Sequence, residues 1–320
     1  MSHNIKGVLF ALGAFAIFAT HDVIVKFLGG QYAPFQIIFF SALLTFPLAT
    51  FMLMRDPTHG HLRPVHPWWT AVRTIAAVVG AVSVFYAFSV LPLAQVYAIL
   101  FATPLLITIL SIPILGEIVR FRRWAAVMVG LIGVIVVLRP GQADLSLGHG
   151  AALLGAFAAA FASIIVRKIG REERSVVLLL YPLVANFVVM AAILPFVYVP
   201  MPIEHLGLVG VISAFAFVAG LMMIAAYTNA DAAIVAPMQY SQIIWATIFG
   251  MVLFDEFPDS ATLLGAAIII SSGLYIVFRE SRGAVSENTP VLRTRSRHET
   301  PTGFRVGLLL RRKQERNAQK

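Results

Sequence analysis

The sequence predicts an all-α membrane protein that crosses the bilayer ten times, as two inverted repeats of five helices. Of the 320 residues, 59% are hydrophobic and only 12% are charged, whereas soluble domains carry about 25% charged residues. The apolar runs are continuous and about 20 residues long, which is the length of a helix across the hydrocarbon layer. Barrel strands would alternate apolar and polar residues instead. The third observation is that the two halves of the chain resemble each other.

Ten apolar runs between charges and turn residues predict the spans. They cover residues 7–28, 35–54, 69–90, 93–115, 122–138, 150–168, 175–198, 206–227, 231–254 and 260–278. The first run is longer than the core of a signal peptide, which has about 7–15 residues, so we expect it to be retained as a span. Very short links such as Leu91-Pro92 predict that the helices they join are antiparallel neighbours.

The lysine and arginine residues predict the orientation, because they concentrate in cytoplasmic segments. With both termini in the cytoplasm, 22 of them lie on the inner side and two, Lys26 and Arg139, on the outer side. We therefore expect a multi-pass protein of the inner membrane. The net charge of +9 follows this topology, so nucleic acid is not expected as a partner.

An internal repeat divides the chain at residues 5–140 and 147–282. Gly133 and Arg139 on the fifth span recur as Gly273 and Arg279 on the tenth, and Glu117 recurs as Glu256 at almost the same offset. Five spans per repeat is an odd number, so the second repeat must be inverted. Inverted repeats are typical of carriers that alternate between two conformations around a central site.

Several motifs carry a family resemblance. They are His21-Asp22-Val23 with Lys26 and Gly29, Arg73, Leu115-Gly116-Glu117, Gly130 with Gly133, Leu138-Arg139-Pro140, Asp231 with Ala236-Pro237 and Tyr240, and Glu256 with Pro258-Asp259. Together they resemble the drug/metabolite transporter superfamily, specifically its ten-span EamA-domain carriers. The nearest subgroup contains carriers that take up S-adenosylmethionine or riboflavin.

The resemblance implies two facing five-helix bundles and a central cavity lined by spans one, three, four, six, eight and nine. It also implies movement of a small organic solute without ATP. We therefore expect a secondary transporter that works by alternating access on riboflavin, S-adenosylmethionine or an amino-acid-like metabolite. The alternative is a flippase or intramembrane enzyme acting on a lipid-linked substrate. The sequence shows no motif of a catalytic site or of metal ligands, and we expect neither an enzyme nor a cofactor.

His21 and Asp22 are the sharpest candidates for a substrate site. They lie about 21 Å along the first span, at 1.5 Å per residue. An ionised carboxylate inside a membrane normally faces a cavity or a partner. Asp22 could bind a cationic group or a proton, and His21 could titrate near neutral pH. A structural contact between Asp22 and Lys26, one turn further along, is the alternative.

Further candidates lie on the fourth and ninth spans, which the repeat places opposite each other. Amides and aromatic faces at these positions suit a planar, neutral or zwitterionic molecule. The substrate-binding candidates, besides His21 and Asp22, are Tyr86, Gln95, Tyr97, Thr103, Tyr227, Gln239, Tyr240, Gln242 and Trp245. Pro104 and Pro237 are predicted helix breaks, because proline removes a backbone donor.

Four charged residues near span ends are predicted to gate the route or to stabilise the helices: Lys26, Arg73, Glu117 and Glu256. Arg73 could pair with Glu117, reach the headgroups or meet an anionic substrate group.

Four glycines on the fifth and tenth spans would allow close helix approach, either in the scaffold or in a homodimer. They are Gly130, Gly133, Gly265 and Gly273. Residues 283–320 carry a charge of +6 and are predicted to be a disordered cytoplasmic tail.

Overall fold

The computed structural model of the protein describes residues 3–54, 62–116, 119, 121–139, 145–170, 172–229 and 235–282. These residues form helices and connections and include no strand. The α-helices are α1 (His3–Gly29), α2 (Pro34–Met54), α3 (Pro67–Val90), α4 (Leu93–Leu100), α5 (Thr103–Leu115), α6 (Phe121–Leu138), α7 (Leu147–Ile169), α8 (Ser175–Val197), α9 (Ile203–Asn229), α10 (Gln242–Phe254) and α11 (Ser260–Arg282). A 3₁₀-helix, Ala236–Ser241, precedes α10.

The ten predicted spans each correspond to a helical segment, which confirms the fold class. Six helical segments of the described chain are long and apolar enough to cross a membrane: Ile5–Gly29, Pro67–Val90, Leu93–Leu115, Leu147–Val166, Val176–Val197 and Ile203–Met223. The other four contain shorter apolar stretches, Pro34–Thr50, Trp124–Leu138, Met238–Phe254 and Ser260–Ile276. The predicted tail, residues 283–320, lies outside the described residues.

The fourth and ninth spans both contain irregular backbone. The fourth turns at Phe101 and Ala102, between α4 and α5, and Pro104 sits in the first turn of α5. Proline at this position lacks the N–H that would reach the Leu100 carbonyl. The Thr103 hydroxyl donates to that carbonyl instead, at 2.7 Å. Thr103 therefore satisfies the carbonyl that the interruption of the helix leaves without a backbone donor.

The ends of α5 and α10 share an unusual backbone conformation. Gly116, at the C-terminus of α5, has φ 69° and ψ 25°, and Asp255, at the C-terminus of α10, has φ 54° and ψ 30°. Left-handed residues commonly end helices, because their N–H groups reach the last free carbonyls. The two positions immediately precede Glu117 and Glu256, so the predicted repeat is also visible in the backbone.

Helix pairing follows the repeat. α1 packs along α9, and α3 packs along α7. Since α7 is the repeat equivalent of α1 and α9 that of α3, each pair joins the first helix of one half to the third helix of the other. α2 packs on α8, and α6 on α11, so that these pairs join equivalent helices. One contact departs from the symmetry of the repeat. α1 contacts α3, whereas their counterparts α7 and α9 have no comparable contact among the described residues.

The buried core has the same asymmetry. We call the end of the bundle where α1 and α3 finish the Lys26 end, and the opposite end, where α7 finishes, the Lys168 end. The largest cluster of buried side chains lies toward the Lys26 end and joins residues from both halves, including Leu28, Phe88 and Ile269. Toward the Lys168 end, one cluster joins α3, α5, α7 and α8, and a separate cluster joins α1, α9 and the 3₁₀-helix. The buried core is thus continuous at the Lys26 end, whereas at the Lys168 end it is separated into two clusters, each of which joins helices of both halves.

The glycines of the fifth and tenth spans serve the contact between α6 and α11. A Cβ added to Gly265 would lie 2.6 Å from the Gly133 carbonyl oxygen, and one added to Gly133 would lie 2.9 Å from the Gly265 carbonyl oxygen. Small residues let two helix backbones approach this closely. These two glycines are therefore used within the chain, and the homodimer stays a prediction.

Candidate functional site

The centre of the candidate site is the Asp22 carboxylate on α1. One of its oxygens, Oδ1, lies 2.7 Å from His21 Nδ1, and the other, Oδ2, accepts the hydroxyl proton of Tyr97 on α4. An ionised carboxylate can only accept, so His21 Nδ1 must carry its hydrogen. The side chains of His21 and Asp22 keep 12% and 15% of their surface exposed. The carboxylate is therefore held in place without being sealed.

Tyr97 links this carboxylate to the second half of the chain. Its hydroxyl lies near the side chain of Gln242, the first residue of α10. Four of the predicted site residues, His21, Asp22, Tyr97 and Gln242, are therefore neighbours where α1, α4 and α10 meet. We call these four residues the Asp22 cluster.

Aromatic rings surround the Asp22 cluster. Phe85 meets His21 edge-on at a centroid distance of 6.2 Å, and Phe88 meets Tyr97 at 5.5 Å. Phe101 lies 6.2 Å from Tyr97. Sequence reasoning missed these three phenylalanines, because single aromatic residues in apolar spans are common. Their proximity to the charged cluster depends on contacts between helices.

The other substrate-binding candidates occupy different surroundings. Gln95 lies at the start of α4, where its amide is 2.9 Å from His149 Nε2 of α7. Tyr240 packs edge-on against Phe101 at 5.1 Å, and its hydroxyl fills the space where Gly273 has no side chain. Trp245 stacks on Phe249 at 6.1 Å. These three side chains therefore support helix contacts in this conformation.

Tyr86 and Gln239 are half-buried. The Tyr86 carbonyl accepts the hydroxyl of Ser89 on the next helical turn, and Gln239 lies in the 3₁₀-helix. The backbones of Tyr227 and Pro237 are described, within α9 and the 3₁₀-helix. Their side chains, like the whole of Glu117, lie outside the described residues.

The charged candidates take partners that the sequence did not single out. Lys26 Nζ lies 2.7 Å from Glu256 Oε1, so Lys26 is paired across the structure and not with Asp22 one turn away. Arg73 donates to the Leu178 carbonyl of α8 at 2.5 Å. Both contacts join distant parts of the chain, one to a side chain and one to a backbone carbonyl, and local helical spacing could not reveal them.

A further ion pair lies at the Lys26 end, between Arg139 and Asp259. Asp259 also accepts the backbone N–H of Thr262 at 2.8 Å, which caps the start of α11. Burial alone would raise the pKa of Asp259, but hydrogen bonds from Thr262 and the charge of Arg139 outweigh it and lower the pKa below its ordinary value. The pair is therefore ionised at neutral pH, and its small contribution to stability is lost as pH falls through that lowered pKa.

The comparison with known proteins supports a transporter. The chain is 25% identical over 288 residues to the S-adenosylmethionine uptake transporter of Rickettsia prowazekii, covering 89% of this chain and 96% of that protein. It is 26% identical over 268 residues to the pseudopaline exporter CntI of Pseudomonas aeruginosa, covering 83% and 93%. A crystal structure that is 20% identical superimposes with a TM-score of 0.55, covering 84% of this chain and 96% of the other, and shows the same fold.

The family assignment rests on both halves of the chain. The sequence signature of the EamA-like transporter family matches residues 5–139 and again residues 146–278. The two matches together span well over half of the chain and include the Asp22 cluster. With its apolar helices and its transporter relatives, the protein is a multi-pass membrane transporter of small molecules and not an enzyme. The chain belongs to the EamA-like transporter family, within the drug/metabolite transporter superfamily.

Proposed function

We propose that the protein is a secondary carrier that moves a cationic or zwitterionic organic metabolite across the inner membrane by alternating access. The observation that carries this proposal is the Asp22 carboxylate, which is bound to Tyr97 of α4 near the position where α10 of the second half joins. A charge at the interface of two repeats is well placed to bind a solute that both halves enclose in turn. Near the middle of a membrane such a charge is costly, so it is retained where it has a partner or a ligand.

The surroundings of Asp22 favour one substrate class among the three candidates. A carboxylate among Phe85, Phe88 and Phe101 suits a ligand that combines a positive charge with a planar ring, since aromatic faces attract cations. S-adenosylmethionine carries a sulfonium cation, an ammonium group and an adenine ring. Riboflavin has a planar ring system but no cation, and most amino acids have an ammonium group but no extended ring. S-adenosylmethionine is therefore the first compound to test.

Alternating access is supported by the asymmetry of the core. The buried core is continuous at the Lys26 end and separated into two clusters at the Lys168 end, and the contact of α1 with α3 has no comparable counterpart between α7 and α9 among the described residues. Exchanging the two contact patterns would close the Lys168 end and open the Lys26 end. The substrate would then reach Asp22 from one side at a time.

We further propose that the Lys168 end and both termini face the cytoplasm, as the distribution of lysine and arginine favours. The chain has no cysteine, so a single introduced cysteine is a unique reporter. Gln31→Cys, exposed at the Lys26 end, should react with a membrane-impermeant maleimide added to intact cells. Trp68→Cys, 75% exposed at the opposite end, should react only after the cells are permeabilised. The reverse pattern would contradict this orientation.

Uptake into proteoliposomes tests the function. The purified protein is supplied with labelled S-adenosylmethionine, riboflavin or amino acids, with and without an imposed pH gradient. We expect saturable movement of S-adenosylmethionine that the unlabelled compound inhibits. The names of the two relatives describe opposite directions of transport, so both external and preloaded substrate are measured. If folded protein moves none of these compounds but moves a fluorescent lipid-linked sugar between leaflets, the flippase alternative replaces this proposal.

A further inference from the structure

Lys26 is held at the Lys26 end by groups from two separate parts of the chain. Its Nζ lies 2.7 Å from Glu256 Oε1 and 2.6 Å from the Leu91 carbonyl oxygen. The same nitrogen lies 5.2 Å from the ring centroid of Phe254. Only 9% of the Lys26 side chain is exposed. Its charge is thus enclosed by the link between α3 and α4 and by the C-terminal end of α10.

Glu256 completes the connection with its second oxygen. Oε2 accepts the backbone N–H of Leu93 at 3.2 Å, at the N-terminus of α4, where unpaired N–H groups favour a negative charge. One ion pair therefore joins the end of α1, the start of α4 and the link between α10 and α11. Removal of either partner would leave the other charge poorly compensated in a largely buried position. Partial separation of Lys26 from Glu256 is therefore unfavourable, and we expect the ion pair to be either fully formed or fully broken.

The backbones meet closely beside this ion pair. A Cβ added to Gly29 would lie 2.4 Å from Ser89 Cβ and 3.1 Å from Ser89 Cα, so α1 and α3 are in direct contact at their ends. Deeper along the two helices, His21 still meets Phe85. A solute at Asp22 could reach the Lys26 end only if α1 moved away from α3, and Lys26 would then have to leave Glu256 or the Leu91 carbonyl.

We propose that Lys26 and Glu256 form a latch that holds the Lys26 end closed, and that the ion pair must break each time this end opens. The proposal rests on the proposed function, since it assumes that a solute passes Asp22 on its way between the two ends. It assigns to these two residues a gating role, separate from substrate binding at the Asp22 cluster.

Lys168 provides a matched control. It lies near the C-terminus of α7, at the opposite end of the bundle, as Lys26 lies near the C-terminus of α1, and like Lys26 it contacts a carbonyl and an aromatic ring, although Lys168 is exposed. Its Nζ donates to the Ile114 carbonyl at 3.0 Å and lies 4.4 Å from the ring centroid of Trp69. Replacing Lys168 removes the same kind of side chain without touching the closed end.

Thiol accessibility tests the latch without any substrate. Ala81→Cys places a single thiol on the face of α3 that also carries Phe85 and Ser89, about 12 Å deeper than Ser89 at 1.5 Å per residue. A membrane-impermeant thiol reagent is added on whichever side labels Gln31→Cys. In the otherwise unchanged protein, Ala81→Cys should react slowly, because the Lys26 end is closed.

Lys26→Met and Glu256→Gln should each raise the rate of this labelling about tenfold or more, because the rate follows the fraction of molecules whose Lys26 end is open and losing the ion pair increases that fraction. Lys168→Met should leave the rate unchanged, and the exchanged pair Lys26→Glu with Glu256→Lys should bring it back toward the starting value. If neither single substitution changes the rate in folded protein, the latch is rejected. A rise of the same size in Lys168→Met would also reject it, because the effect would then be non-specific.

Glu256→Asp covers the case in which the neutral variants do not fold. It keeps the charge but shortens the side chain by one methylene, so an intermediate rise in labelling is expected and an unchanged rate would overturn the latch.

Failure of the proposed function is recognised separately. Loss of uptake of every solute, with labelling that still responds to Lys26→Met, would reject the substrate and keep the latch. Normal uptake with labelling that does not respond to Lys26→Met would reject the latch and keep the proposed function.

Discussion

Asp22→Asn is expected to reduce transport by about 100-fold or more, the scale associated with leaving a buried cation without its ionic partner. The substitution keeps the shape of the side chain and a hydrogen bond with Tyr97, but it removes the negative charge. A cationic substrate group in an apolar, aromatic surrounding would then have no counter-charge. Initial rates of uptake into proteoliposomes, at matched amounts of reconstituted protein, measure the effect.

Two variants make this result specific. Asp259→Asn makes the same chemical change at the Lys26 end, away from the Asp22 cluster, and an amide can still cap α11, so uptake should be close to normal. Tyr97→Phe keeps the charge but removes the hydroxyl that orients Asp22, and uptake should fall by less than in Asp22→Asn. Unchanged uptake by correctly inserted Asp22→Asn would remove Asp22 from the substrate site.

Gly265→Val is expected to produce the largest loss of stability. An added Cβ at this position would meet Val137 Cγ2 at 2.5 Å, the Gly133 carbonyl oxygen at 2.6 Å and the Val137 backbone nitrogen at 3.1 Å. Two of these three atoms belong to the backbone of α6, so they cannot move aside as a flexible side chain could. α6 and α11 would have to separate, and overpacking of this kind costs about 1–3 kcal/mol or more.

Thermal unfolding of the detergent-solubilised protein measures this cost. Gly207→Ala on α9 is the control, because a Cβ there meets nothing within 4 Å and alanine favours a helix over glycine by about 1 kcal/mol. We expect the melting temperature to fall clearly for Gly265→Val and to stay level or rise for Gly207→Ala. Equal melting temperatures would show that α6 and α11 do not need their close contact.

Part of the candidate site could be predicted from the sequence. His21 and Asp22 stand out because a charged residue inside an apolar span is costly, and this signal is local. The repeat relates the fourth span to the ninth, and Tyr97 and Gln242 lie near each other where these two spans meet. Gln95 and Trp245 satisfied the same residue-type criterion but contact His149 and Phe249. Residue type alone could not separate these two groups, because the side-chain directions depend on how the helices rotate against each other.

The charged candidates illustrate the same limit. Lys26 lies one turn from Asp22, and helical spacing makes that contact plausible. The structure instead joins Lys26 to Glu256, which belongs to the other half of the chain. Glu256 also accepts the Leu93 N–H at the N-terminus of α4, a contact between the two halves that local spacing does not predict. The left-handed backbone at Asp255, which ends α10 just before Glu256, has no sequence signal comparable to the glycine at position 116.

The sequence by itself determined the membrane class, the positions of the ten spans, the repeat and the unusual charge of Asp22 inside an apolar span. These are local properties, because each helix in lipid must satisfy its own backbone hydrogen bonds and must be apolar over its whole length. Only the tertiary structure decided which polar side chains meet, that Gly133 and Gly265 join α6 to α11, and that the buried core is continuous at the Lys26 end but separated into two clusters at the opposite end. Lipid is as apolar as the helix surfaces, so hydrophobicity does not select helix partners; close packing and a few interhelical polar contacts do.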